Sequence, residues 1–264
     1  MVFFLGAKLI KSCHTRISTL HKRVNFIIGF LEIPFCVTLG RQSPHSFAEN
    51  FKTVSTMEKV IWSCSDYSIF RVGTDRLHDV ARFVVTQNYN HHSSEPIPDT
   101  ARQEIEDIYR EELSYSGDSA CFIVRDKEDR MVGSIRVFRW DKRTPTPMQK
   151  IFHISPLEKV GDTPATSFWH IGRFAIDSTS GFSTVTLFKQ LMTLAVAPIL
   201  RDDDSYMIAE TDSRLLRVMN ALGIETRQIG NPLIYLASET IPVCSSKKGL
   251  TKFYQRCYPL LAAS

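Results

Sequence analysis

Phe168-Trp169-His170-Ile171-Gly172-Arg173-Phe174-Ala175-Ile176 is the stretch on which the fold turns. It reads as a strand, and an unusual one, because a histidine and an arginine interrupt an apolar run. Downstream, Ser180-Gly181-Phe182-Ser183-Thr184 opens a long apolar helix through Leu187, Leu191, Leu194 and Ala195, ending near Leu200. Upstream, Ala120–Arg125 and Met131–Trp140 are two apolar strands. The polar segment Asp126–Asp129 joins them as an antiparallel pair. Between that pair and the central strand, residues 144–164 carry four prolines (Pro145, Pro147, Pro156, Pro164) and read as a long, partly ordered excursion.

Further out, Tyr67–Val72 alternates and is bounded by Gly73-Thr74, as a strand is. Thr74 or Asp75 can cap a helix through Leu77, Val80, Phe83 and Val84. Residues 91–98 form a loop, and Asp99 or Thr100 caps a second helix with Ile105, Ile108, Tyr109 and Leu113 on one face. On the C-terminal side Tyr206–Glu210 is a short strand. Asp212 or Ser213 caps a helix that Gly223 closes. Thr226–Ile229 and Leu233–Ala237 form a hairpin across Gly230-Asn231-Pro232, and Thr251–Leu260 is a terminal helix. The order β-α-α-β-β-β-α-β-α-β-β predicts an α/β (α+β) domain with a mixed, mostly antiparallel central sheet flanked by helices.

The chain has 264 residues, 43% of them hydrophobic, enough for one sizeable core. Its net charge of +4 is unevenly spread. Residues 1–56 hold seven basic and two acidic residues, which leaves residues 57–264 at −1. A basic surface for nucleic acid is therefore not expected on the main domain. Cysteines at 13, 36, 64, 121, 244 and 257 form no CxxC pair and no metal-finger spacing with histidine, so no metal site is expected. They read as reduced thiols of a cytoplasmic protein. Residues 1–56 have three readings: a poorly ordered extension, a membrane-surface anchor, or a stretch upstream of a true start at Met57. The first and third fit better, since Asn25, Glu32 and Pro34 break up the apolar run from Val24 to Gly40. Any membrane contact would be confined to that segment, and residues 57–264 form the domain proper.

Four segments stand in a telling order. They are Gly133-Ser134-Ile135-Arg136, the stretch from Pro147-Met148 to Phe152, the strand Trp169-His170-Ile171-Gly172-Arg173-Phe174-Ala175-Ile176, and Gly223 to Leu236 with Ile229-Gly230-Asn231-Pro232. Together with the element order they resemble the GNAT superfamily of N-acyltransferases. Within it they are most similar to the acyl-homoserine-lactone (autoinducer) synthases and the N-acyl amino acid synthases. The resemblance covers about residues 67–243.

That resemblance implies a thioester donor, acyl-CoA or the phosphopantetheine of an acyl-carrier protein, used as co-substrate with no permanently bound cofactor. It implies a small amine acceptor such as an amino acid. In this fold the central strand splays from its neighbour, leaving backbone around Gly172, Arg173, Phe174 and Ala175 to pair with the amides of the pantetheine arm. The donor's phosphates would meet the helix start at Ser180, Gly181, Phe182, Ser183 and Thr184, where N–H groups and the helix dipole converge. The alternative there is a plain Ser/Thr-capped helix start.

His170 stands where the autoinducer synthases have a glutamate thought to act as general base; imidazole suits that role, and a packed structural histidine is the other reading. Arg173 and Arg136 resemble family arginines that order the site or bind the acceptor, and both also fit structural ion pairs. Asp118 matches a family acid near the amine site, or is a turn aspartate. Trp169 and Phe152 are candidate substrate contacts, and Phe152, Phe168, Phe174, Phe182 and Phe188 line an acyl tunnel or simply build core. Many superfamily members place a proton-donating tyrosine four residues before the glycine that ends the penultimate helix. Here that residue is Met219. Two further readings follow: acetyl transfer to a small-molecule or protein amine, and a GNAT-fold sensor that binds acyl thioesters without turnover.

Overall fold

The computed structural model describes residues 58–92, 96–235 and 238–262. The readings for residues 1–56, for residues 93–95 of the expected 91–98 loop and for the last two residues of the expected strand Leu233–Ala237 lie outside the described residues. Among the described residues, nine strands form one sheet: β1 Lys59–Ser63, β2 Tyr67–Val72, β3 Ser119–Asp126, β4 Met131–Arg139, β5 Ser167–Ile176, β6 Ser205–Asp212, β7 Arg227–Gln228, β8 Leu233–Tyr235 and β9 Ser238–Ser246. The strand order is β1-β2-β3-β4-β5-β6-β9-β7, with β8 also paired to β9. Only the β5–β6 pair is parallel. The helices are α1 Leu77–His92, α2 Ala101–Ser114, α3 Pro147–Phe152, α4 Pro156–Val160, α5 Thr184–Val196, α6 Ser213–Ala221, α7 Lys247–Cys257 and α8 Pro259–Ala262. This is the mixed, mostly antiparallel sheet with flanking helices that the sequence order predicts.

Every residue of β5 is buried, because helices cover both sheet faces. On one face Phe122, Ile135, Ile171, Phe174 and Ile176 pack against Leu187, Phe188 and Leu191 of α5 and Phe253 of α7. On the other, Cys121, Ile123 and Ala175 meet Val80 and Val84 of α1, while Phe138, Phe168 and Ile208 pack with Met148 of α3. The covered faces explain how β5 can hold charged side chains without exposing them.

Beyond the added strand β1, three elements differ from the expectation. Residues 144–164 contain two short helices: Thr146 and Gln149 make a reciprocal capping box around Pro147, and Pro156 opens the second. The expected hairpin of Thr226–Ile229 with Leu233–Ala237 is absent among the described residues. β7 and β8 each pair with β9 instead. β9 was hidden because Pro242 sits inside it and polar residues, Thr240 and Ser245, occupy buried positions that an apolar pattern would mark. The second helix keeps Ile108 and Tyr109 inward and departs at its last turn: Leu113 is 40% exposed, whereas its neighbour Glu112 is 2% exposed. Among the described residues no helix is long and apolar enough to cross a membrane.

Candidate active site

The site starts from a fault in the β4–β5 ladder. Ser134 pairs with Ala175 and Arg136 with Gly172, so Arg173 and Phe174 together oppose Ile135. One extra residue on β5 is a β-bulge. Arg173 takes up the misfit with φ 54°, a left-handed conformation that a non-glycine residue holds only when its surroundings enforce it. Here Ser134 Oγ donates to the Arg173 carbonyl at 2.8 Å, and acidic partners hold the side chain.

The β5–β6 pairing ends close to the bulge. Parallel partners run from Ser167↔Ser205 to His170↔Ile208 and stop there. β6 continues with β9 as far as Asp212↔Thr240. From Gly172 onward, the edge of β5 that faced β6 has no ladder partner on that strand, and a V opens between the two.

A buried charge network closes the apex of the V. Glu112 on α2 links two arginines: its Oε1 accepts from Arg173 Nε at 2.5 Å, and its Oε2 lies 3.0 Å from Arg136 Nε. The second contact is an ion pair without hydrogen-bond alignment, since Arg136 Nε has no hydrogen-bond partner among the described residues. Arg173 also pairs with Glu111, and Glu111 Oε1 accepts from Lys150 Nζ of α3 at 2.7 Å. Burial alone would raise the Glu111 carboxyl, but Arg173 and Lys150 bring it down to about 2. Arg136 lies over the Phe138 ring at 4.5 Å, and Tyr115, Phe138 and His170 form a continuous stack.

His170 sits in the middle of this network and is fully buried. Arg136 Nη1 is 3.3 Å from Nδ1, and Glu210 Oε2 is 2.9 Å from Nε2. A guanidinium only donates, so Nδ1 must accept, and the ring proton belongs on Nε2, donating to Glu210. Burial pushes the His170 pKa down, and the opposing pull of Glu210 does not reverse it. The ring is therefore neutral, and three cations (Arg136, Lys150, Arg173) face three carboxylates (Glu111, Glu112, Glu210). This differs from a free catalytic base, because the lone pair a base would use is already engaged.

Gly172 is what lets this assembly fit. A Cβ there would come within 3.0 Å of His170 Cε1 and 3.3 Å of Arg136 Nη2. Gly172→Ala should cost about 1–3 kcal/mol by overpacking, read as a lowered unfolding midpoint in urea. An unchanged midpoint would mean that the ring and guanidinium have slack.

Compared with solved structures, the chain matches the AHL synthase LasI with a TM-score of 0.51 at 15% identity, over 72% of this chain and 94% of that one. The fold is GNAT-like. Two other similar structures are FeeM, an N-acyl amino acid synthase from uncultured soil microbes (TM-score 0.49, 16% identity, 72% and 97% covered), and TofI (0.48, 14%, 75% and 95%). No protein-family model and no curated sequence matches the chain.

On this GNAT-like frame the predicted residues separate into groups. Arg136, His170, Gly172 and Arg173 come together at the apex. Trp169 does not join them. Side chains alternate along a strand, so Trp169 points to the α5 side, where its indole donates to Asp202 at 2.9 Å. Phe174 also faces that side, edge-on to Phe188, so only its backbone can serve the V. Asp118 is exposed in a turn ahead of β3 and makes no hydrogen bond or ion pair with the network among the described residues. Phe152 is half-buried at the end of α3.

The loop after β5 is exposed. Gly181 has φ 84°, with no atom within 4 Å of where a Cβ would stand. Ser183 caps α5 by accepting from Thr186 N at 3.3 Å, Ser180 Oγ donates to the Asp177 carbonyl, and Phe182 packs on the Tyr67 ring. The serine side chains are thus used locally, and the N–H groups of the first turn are what the loop offers a ligand.

The sequence reading missed Glu111, Glu112, Lys150 and Glu210. For Glu112 a signal existed: it lies four residues after Ile108 and three after Tyr109, on the apolar stripe. An acid at such a position needs a buried cation.

Proposed function

We propose that this protein is an N-acyltransferase that moves an acyl group from acyl-CoA or an acyl-carrier protein to the amine of an amino acid or similar small molecule. The observation that carries this reading is the parting of β5 and β6 after His170↔Ile208, directly over a buried, self-neutralised charge cluster. A pantetheine arm carries amides that can pair with β5 backbone beyond its last ladder pair with β6, around Gly172–Ala175. Its phosphates would fall at Gly181–Thr184, where α5 begins. The likeness of the fold to an AHL synthase, and the four motifs, support the same reading.

In this reading the network is the scaffold of the reaction. Arg173, with Glu111 and Glu112 on its guanidinium, fixes the bulge that turns β5 backbone toward the thioester. The acceptor must be neutral to attack, and the α-amine of a free amino acid, beside its own carboxylate, is more basic than a chain's α-amino group at ~8, so transfer should quicken as pH rises.

The test is thiol release from acyl-CoA and acyl-carrier-protein donors, mixed with a panel of amino acids and followed by mass spectrometry. Release that requires both substrates, with an N-acylated product, is expected. No release across the whole panel would remove the reading. Tight binding with the thioester recovered intact would point to a sensor instead, and a strict preference for acetyl would point to the acetyltransferase alternative.

A further inference from the structure

The net charge of −1 over residues 57–264 argues against an anionic surface as partner, but the fold sorts the charges that this sum combines. α1 and α2, on one face of the sheet, carry six carboxylates and three arginines. α5, α6 and α7, on the other face, carry seven lysines and arginines and no aspartate or glutamate.

α7 buries Gly249, Leu250, Phe253 and Cys257 and turns Lys248, Lys252 and Arg256 outward. These three recur every fourth residue, about 6 Å apart along one side. Leu260, the next such position, is 37% exposed. The stripe abuts the end of α6: a Cβ at Gly223 would lie 3.7 Å from Arg256 Nη1 and 3.8 Å from Lys252 Cδ. Along α6, Arg214 and Arg217 are exposed. Among the described residues no carboxylate pairs with any of these five cations, although Glu225 lies beside Gly249. Lys247, by contrast, is held by Asp203 and by the Asp202 carbonyl. The helix dipole accounts for Lys252 and Arg256, which meet the carbonyl end of α6. It does not account for Arg214 and Lys248, which sit in the first turns of their helices, where a cation is unfavourable.

The band suits a lipid surface better than other anions. Clusters of roughly four to eight lysines and arginines on a helical face are what anionic headgroups attract. An exposed leucine at the end of the stripe can enter the boundary of the acyl chains. A protein interface is depleted of lysine and has an apolar centre, whereas the exposed positions between these cations include Asn220, Ala221 and Gln255. Single-stranded nucleic acid stacks its bases on exposed aromatic rings, whereas Tyr254 and Tyr258 are half-buried against one another. We propose that the α6–α7 face docks this protein onto the anionic headgroups of a lipid bilayer through Arg214, Arg217, Lys248, Lys252 and Arg256. Docking needs no acyl transfer, so vesicle binding and thiol release can fail independently.

The test is sedimentation of the full chain at low salt with vesicles of equal parts phosphatidylglycerol and phosphatidylcholine, and with vesicles of phosphatidylcholine alone. Lys248→Gln/Lys252→Gln is compared with Arg102→Gln/Arg110→Gln, which removes the same charge from exposed positions of α2. The unaltered protein should bind the anionic vesicles and not the neutral ones. Partitioning should fall roughly twenty-five-fold in the α7 variant, at about fivefold per cation, and stay within about twofold in the α2 variant. Equal losses in the two variants, or no loss in either, would place the attraction in net charge or in residues 1–56 and overturn the proposal. Absence of binding by the unaltered protein would do the same. So would its displacement from the vesicles by a single-stranded oligonucleotide at matched phosphate concentration, which would mark a general polyanion site.

Discussion

Glu112→Ala should destabilise the protein by about 3–5 kcal/mol, the range expected when a buried ion pair loses one partner. Glu112 is 2% exposed and stands between two arginines that are 1% and 2% exposed. Without it, Arg136 keeps its contacts with His170 and the aromatic rings, and Arg173 keeps Glu111. Two guanidinium charges would then face each other in a dry interior with one compensating charge removed, and desolvation would not be offset. Urea unfolding measures the effect as a lowered midpoint at unchanged slope. Glu112→Gln keeps two polar atoms and loses only the charge, so it should fall in between. The neighbouring Leu113→Ala supplies the contrast, since that leucine is 40% exposed and surface substitutions usually stay within about 0.5 kcal/mol. A loss under about 1 kcal/mol for Glu112→Ala, the size of an exposed pair, would show that water reaches the cluster.

The contrast between Leu113 and Glu112 also marks where the sequence stops being legible. Hydrophobic period locates a helix and a stripe, and it put α2 within a residue of its place. It cannot show that two arginines from strands far along the chain make a carboxylate the better core residue at one position. β5 was legible because both sheet faces are covered and its apolar run is nearly continuous. The strict alternation that puts His170 and Trp169 on opposite faces was legible too, and would have separated them. Glu210 was not, because its role depends on β6 lying parallel to β5, a neighbour relation that no local pattern encodes.

His170→Gln should retain transfer activity within about tenfold, whereas His170→Ala should lose roughly a hundredfold or more, as when a reacting geometry is displaced. The argument turns on which atoms the ring uses. In the neutral tautomer Nε2–H donates to Glu210 and Nδ1 accepts from Arg136. A glutamine amide also offers one donor and one acceptor, and can satisfy the same two partners. Alanine leaves Glu210 buried with no donor and frees Arg136 to move. If the imidazole instead took the amine's proton, glutamine would be as damaging as alanine, because an amide cannot be protonated at these pH values. Two pH measurements separate the cases. Activity of both the unaltered protein and His170→Gln should rise with pH along the titration of the acceptor amine, above ~8, rather than through a histidine. Stability should differ between the two. A buried ring with its pKa depressed below 6.5 contributes stability above that value, which is lost as pH falls, since the unfolded chain binds a proton that the folded one refuses. The unaltered protein should therefore weaken below about pH 6.5 more steeply than His170→Gln. Parallel stability curves would mean that the ring titrates alike in the folded and unfolded chain. That would return His170 to the role of a proton-exchanging group and leave Glu210 as its counter-ion.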